Sequence, residues 1–149
     1  MSAAVESLLE TLAQHGERVA LVQAGQQLSY TQLLHEISAR ADGLRQVGAK
    51  RLGLALDNGL EWVLWDLAAL VAGIVCVPVP GFFSAAQQRH VLDSAGVDSL
   101  IAADASAFAA LGFGAAAAQI AQRSLPVVAE LPAGTVKITY TSGTTGQPK

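Results

Sequence analysis

"RLGLALDNGLEWVLWDLAALVAGIVCVPV", residues 51–79, is the stretch that decides the fold. Arg51–Asp57 reads as a strand, and Asn58-Gly59 is a turn dipeptide. Asn58 and Glu61 have the spacing of a helix capping box. Leu60–Ala72 is expected to be helical, with Glu61 and Asp66 its only charges. A helix apolar nearly all round must be covered on most sides. Core packing is therefore expected for Trp62 and Trp65. Gly73 closes the helix and Ile74–Val79 forms the next strand. Strand, helix and strand in this order predict a βαβ unit with parallel strands.

The pattern repeats downstream. Ser84 is placed to cap a helix running through Ala95, Gly96 ends it, and Val97–Ala103 is another strand. The alanine-rich Ala115–Arg123 reads as helix, and Pro126–Glu130 and Thr135–Thr141 read as the last two strands. Upstream, Val5–Ala13 is a short helix, and Arg18–Gln23 and Gln26–Ser29 flank a hairpin turn at Ala24-Gly25. Ser29 and Gln32 form a capping box, with Leu28 and Leu33 as a hydrophobic staple. The helix that follows turns Leu33, Leu34, Ile37, Ala41 and Leu44 inward and ends before Gly48. His35 lies on its wet side, and His90 has no evident partner, so neither receives a role. Alternating strands and helices predict an α/β layered sandwich with a largely parallel sheet.

Composition bounds the function. Of 149 residues, 52% are apolar and only 14% charged, against roughly 25% charged in an average globular chain. Disorder is excluded by so much buriable surface, and the low charge content points to surface that a partner covers. A net charge of −3 without blocks of either sign leaves no nucleic-acid footprint. The single cysteine, Cys76, sits in an apolar run and reads as a buried, inert thiol. It fits a reducing compartment. No basic segment precedes an apolar core at the N-terminus, so a secretory signal is not expected. Leu67–Phe83 is nearly long enough to span a membrane, but Pro78 and Pro80 argue for a helix followed by a strand. The expected location is cytoplasmic.

Three glycine-bearing stretches compete as phosphate sites. "GFGAAA" (112–117) fits G-x-G-x-x-A with Glu130 downstream, but the preceding "ASAFAAL" is a poor strand for a dinucleotide fingerprint. Gly143 and Lys149 have Walker A spacing, yet Pro148 stands where the second glycine belongs and has no N–H to donate. The third reading treats "YTSGTTGQPK" (140–149) as its own loop. Its glycines allow successive N–H groups to converge. Thr141, Ser142, Thr144 and Thr145 add hydroxyls, Lys149 adds a positive charge, and no carboxylate intervenes. A plain polar tail is the alternative, since Ser, Thr and Gly are ordinary in loops.

"YTSGTTGQPK" resembles the phosphate loop of the adenylate-forming enzymes: acyl- and aryl-CoA ligases, peptide-synthetase adenylation domains and firefly luciferase. "LSYTQL" (28–33) is similar to the family's first motif, with Gln32 where glutamate is usual. "LVAGIVCVPVP" (70–80) is similar to its second, which ends A-G-x-x-x-V-P. The motifs occur in the family's order and span residues 28–149. The aspartate usual before the strand at residue 52 is missing from "GAKRLGL".

The resemblance implies a partial N-terminal AMP-binding domain over residues 1–149, from a ligase that uses ATP with Mg2+ to activate a carboxylic acid. The acyl-adenylate then gives its acyl group to the thiol of CoA or of a carrier protein, and AMP leaves. It also implies that Thr141, Ser142, Gly143, Thr144, Thr145, Gly146 and Lys149 surround the β- and γ-phosphates. No catalytic or metal-ligating residue is expected within the chain. The 149 residues alone are expected to be inactive and to self-associate. The competing expectation is a self-contained small α/β binding module.

Overall fold

A computed structural model describes residues 1–142 and 146–149. The chain opens with helix α1 (Ala3–Ala13), followed by the antiparallel hairpin of β1 (Val19–Gln23) and β2 (Gln26–Ser29). Ala24 and Gly25 both take positive φ, 43° and 82°, as a two-residue hairpin turn requires. Helix α2 (Tyr30–Gln46) starts at Ser29 with both capping-box hydrogen bonds in place. It buries Leu33, Ile37, Ala41 and Leu44, while Leu34 is only half-buried.

The central unit follows: β3 (Arg51–Ala55), α3 (Leu60–Ala72), β4 (Val75–Pro78), α4 (Ala85–Ser94) and β5 (Ser99–Ala102). Strands β4 and β5 flank β3 and both run parallel to it, with Leu52 opposite Cys76 on one side and Ser99 on the other. The two connections therefore travel in opposite directions across the sheet. Right-handed crossovers then require the two helices to lie on opposite faces, and the core divides accordingly. Leu52, Leu54, Cys76 and Ile101 pack with α2 and α3. Val77, Leu100 and Val97 pack with Val91 and Leu92 of α4. Trp65 is buried in the first cluster, and Trp62 is half-buried at its margin. Among the described residues, no helix is long and apolar enough to cross a membrane.

The α3 start differs from the Asn58–Glu61 expectation. Gly59 is the N-cap and makes no side-chain cap. Instead the Gln23 Oε1, at the end of β1, accepts a hydrogen bond from the Leu60 N–H at 2.6 Å. Gly59 makes room for it, since a Cβ there would lie 2.8 Å from Gln23 Nε2. Glu61 turns instead to Arg40, whose guanidinium reaches both carboxylate oxygens at 3.0 and 3.1 Å.

Three C-terminal expectations are corrected. Ala115–Arg123 is not a helix. After a 3₁₀ turn (Ala105–Leu111), β6 (Gly114–Ala117) and β7 (Ile120–Gln122) form a hairpin. β7 adds antiparallel to β5, giving a mixed sheet of order β4-β3-β5-β7-β6. The intrinsic helix preference of alanine yields to tertiary burial. Ile120 enters the core on the α3 face and Ala121 the core on the α4 face, which only a strand allows of neighbouring residues. The "GFGAAA" stretch accordingly lacks the helix that a dinucleotide site needs.

Pro126–Glu130 forms no strand, and Thr135–Thr141 contributes only one parallel bridge, Lys137 to Cys76, outside β4. The cause is local. The Cys76 N–H donates to the Val136 carbonyl and the Ile138 N–H to the Cys76 carbonyl, both at 2.9 Å. The next donor on that edge, two residues on, is Pro78, which has no N–H. The ladder stops there.

Candidate functional site

Beyond the bridge, Tyr140, Gly146 and Pro148 each contact α4. Ile138 and Tyr140 pack against the α4-side core. The segment then closes on itself: the Thr141 N–H donates to the Lys149 carbonyl at 2.8 Å and the Lys149 N–H to the Thr141 carbonyl at 2.9 Å. This reciprocal pair forms the base of a loop. Thr141, Ser142, Gly146 and Lys149 are exposed, Pro148 is buried, and Gly146 has φ +84°. Only residues with access to the left-handed region suit that last position, glycine above all. Gly143, Thr144 and Thr145 lie outside the described residues.

Three side chains of α4 meet this segment. Gln87 Nε2 donates to the Gly146 carbonyl at 2.8 Å. His90 Nε2 lies 3.1 Å from the Pro148 carbonyl. The Tyr140 hydroxyl lies 2.7 Å from Ser94 Oγ. The Ser94 hydroxyl proton is used on the His90 carbonyl at 2.6 Å, so Tyr140 is the donor of that pair. The His90 and Tyr140 rings stand edge to face, centroids 6.1 Å apart. Positions 87, 90 and 94 follow i, i+3, i+7 and so share one helical face. His90 thus has the partner that sequence reasoning did not find. That polar stripe was the available signal.

The strand leading into the loop is fastened on the other side. Lys137 Nζ pairs with Asp66 Oδ1 of α3 at 2.7 Å and sits 5.4 Å from the Trp62 ring centroid. Beneath it, burial pushes the Cys76 thiol up to about 12, and the neighbouring Asp66 carboxylate adds to that rise while Lys137 opposes it. A thiol so disposed is protonated at neutral pH and is no nucleophile.

Several clefts adjoin the sheet among the described residues. A crevice of about 370 Å³ opens at the carboxyl ends of β3 and β4, between Asp57, Asn58, Trp62, Gly81 and Phe82. Connections leave these two strands toward opposite faces, the place where open α/β sheets receive ligands. A larger, mainly apolar groove of about 690 Å³ runs between Glu61, Trp65, Ala103, Phe113 and Gln119. Among the described residues, no group of three or more His, Cys, Asp or Glu side chains can hold a metal ion.

The sequence model of one protein family, described as "AMP-binding enzyme", matches residues 8–149. The human mitochondrial medium-chain acyl-CoA ligase is 37% identical over 106 residues, covering 67% of this chain and 17% of that protein. A polyketide synthase–nonribosomal peptide synthetase of Aspergillus flavipes is 29% identical over 150 residues, covering 94% of this chain and 4% of that protein. Among solved structures, the O-succinylbenzoate coenzyme A synthetase of Bacillus subtilis, in complex with AMP, superposes with a TM-score of 0.72 at 20% identity. That match covers 95% of this chain and 40% of the other. The N-terminal subdomain of NpsA from Klebsiella oxytoca superposes with a TM-score of 0.70 at 25% identity, covering 96% and 40%. The chain thus spans about a sixth of the ligase it matches and less than half of either solved chain.

Proposed function

This chain belongs to the AMP-binding enzymes, and on that premise we propose that it is the N-terminal part of an ATP-dependent, AMP-forming carboxylic acid ligase. In that reaction a carboxylate oxygen attacks the α-phosphorus of ATP and pyrophosphate leaves. The acyl-adenylate then passes its acyl group to the thiol of CoA or of a carrier protein, and the thiol loses its proton as AMP leaves. Support for the thiol step comes from relatives named as an acyl-CoA ligase and a peptide synthetase, and from a structural neighbour built as an adenylation–carrier di-domain.

The observation that supports the reading is the reciprocal Thr141–Lys149 hydrogen-bond pair, with the Gly146 and Pro148 carbonyls against Gln87 and His90 of α4. On this reading Thr141, Ser142, Gly143, Thr144, Thr145, Gly146 and Lys149 hold the β- and γ-phosphates. The Thr141 and Lys149 N–H groups close the base of the loop; on this reading the remaining N–H groups, the hydroxyls and the Lys149 ammonium meet the charge that grows on departing pyrophosphate. On this reading the carboxylate that holds magnesium together with the ATP phosphates is supplied by the part of the ligase beyond these residues. The 149 residues alone form no acyl-adenylate and associate through exposed apolar side chains such as Phe82 and Val127.

ATP–pyrophosphate exchange by the full-length protein, with a panel of carboxylic acids, tests the reading. Acid-dependent exchange that Lys149→Ala slows at least tenfold, with the KM for the acid unchanged, supports it. Absence of exchange with every acid, in a protein that binds no ATP, returns the chain to the small binding module. Sedimentation of the isolated chain at micromolar concentration tests association, and a monomer refutes that part.

A further inference from the structure

We propose that the outer side of β6 and the apolar groove beside it receive an extended segment of this same protein from beyond Lys149, an inference that rests on the ligase reading above. The segment carries large apolar side chains at alternate positions. Strand β6 stands at the end of the sheet and pairs with β7 alone. All four of its residues are exposed. Residues 112–122, GFGAAAAQIAQ, contain none of the charged side chains or prolines that usually keep such a strand from pairing. Alanine is also depleted from strands, so the β6–β7 hairpin has little preference of its own and gains from a further neighbour.

The groove is continuous with that strand. Trp65, Phe113, Ala115, Ala117 and Ile120 are among its walls, and its volume is about 690 Å³. Glu61 is the one carboxylate lining it. The Arg40 guanidinium holds both oxygens of that carboxylate at 3.0 and 3.1 Å, so an apolar guest meets little net charge. An added strand makes main-chain hydrogen bonds to the free side of β6, and its alternate side chains point to one face. There they fill the groove. A second copy does this badly. Paired with its own β6 it sets alanine against alanine and leaves the groove empty, and four residues bury far less than the roughly 1,200 Å² of a stable interface. The remainder of the ligase has the length to supply the guest. This chain covers 40% of the NpsA N-terminal subdomain, so the greater part of that one subdomain lies outside the match.

The test is thiol labelling of Ala117→Cys in the full-length protein, with peptide mass spectrometry reading each cysteine separately. Cys76 is buried, so an unlabelled Cys76 shows that the variant is folded. Expected is labelling at position 117 at least about tenfold slower than in the urea-unfolded protein, at every protein concentration. Adding Ala115→Lys, whose charge opposes an apolar guest, is expected to return labelling to the unfolded rate. Should Ala117→Cys fail to fold, Ala116→Cys carries the same comparison. Labelling at the unfolded rate while Cys76 stays protected overturns the proposal. So does protection that Ala115→Lys leaves unchanged, since the chain's own surroundings then cause it. Protection lost on dilution identifies the guest as a second copy and overturns the assignment to this chain. Acid-dependent ATP–pyrophosphate exchange by the same preparation tests the ligase reading separately. Exchange without protection overturns the docking alone, and protection without exchange or ATP binding overturns the ligase reading alone.

Discussion

Adding one methyl group at Gly53 tests how closely α4 is set against the sheet. Gly53 sits mid-strand in β3, opposite Val77 and Leu100. A Cβ there would lie 2.9 Å from Leu92 Cδ2, 3.0 Å from Val97 Cγ1 and 3.1 Å from Leu100 Cδ1. All three side chains are 0% exposed, so none can swing into solvent to make space. Gly53→Ala therefore overpacks the core, at a cost of about 1–3 kcal/mol. Against this stands a gain of about 0.4–1 kcal/mol, because alanine has fewer unfolded conformations than glycine. The net destabilisation is up to about 2.6 kcal/mol, which lowers the melting point by up to roughly 5–10 °C for a chain of this size. Gly114→Ala is the control, since nothing lies within 4 Å of its Cβ position. Urea unfolding by circular dichroism, with both variants beside the parent chain, reads the difference. A Gly53→Ala protein as stable as Gly114→Ala refutes the reasoning. The same substitution moves α4 outward and with it the ties from Gln87 and His90, so amide exchange at Lys149 is expected to quicken.

Gln23→Ala removes the acceptor for the Leu60 N–H and is expected to cost about 1 kcal/mol, as loss of a helix cap does; chemical denaturation measures it. Cys76 has its pKa raised from 9.0 to about 12 by burial. Its contribution is therefore fully present below pH 9 and is lost as pH rises toward 12, up to about 4 kcal/mol for a shift of this size. Unfolding from pH 8 to 12 should show a steeper alkaline loss in the parent chain than in Cys76→Ala, and equal slopes refute the assignment. A thiol reagent at pH 8 is expected to label Cys76 only at the rate of unfolding, which stopped-flow labelling against denaturant checks. Asp66→Asn removes the partner of the half-exposed Lys137; the expected cost is under about 1 kcal/mol, with faster amide exchange at Ile138 as the more sensitive readout.

The βαβ core was legible because its signals are local and agree with one another. Turn glycines, capping spacings and apolar runs fix residues 51–102 without reference to distant groups. The Ala115–Arg123 hairpin was not legible, because alanine carries a helix preference and no strand signal. What makes it strand is the vacancy beside β5, a tertiary fact. The α3 cap was misassigned for a similar reason: Gln23 is 37 residues from Leu60, and no capping rule looks that far. The loop was recognisable by its residues, but its fastening was not. His90 has no evident partner in the sequence until the chain that lies on α4 is placed.

Pro78 has a consequence for how this sheet meets other chains. A strand at the border of a sheet templates the addition of any extended peptide that satisfies its outward N–H and C=O groups. On β4 the outward donors are those of Cys76, already taken by Val136, and of Pro78, which has none. That border offers a newcomer the Pro78 carbonyl but no free N–H. The opposite one, β6, is short and exposed throughout, with only alanine side chains beyond its glycine. Growth of this sheet by another strand, whether in assembly or in fibril formation, is favoured there, and a charged residue on β6 is the simplest way to oppose it.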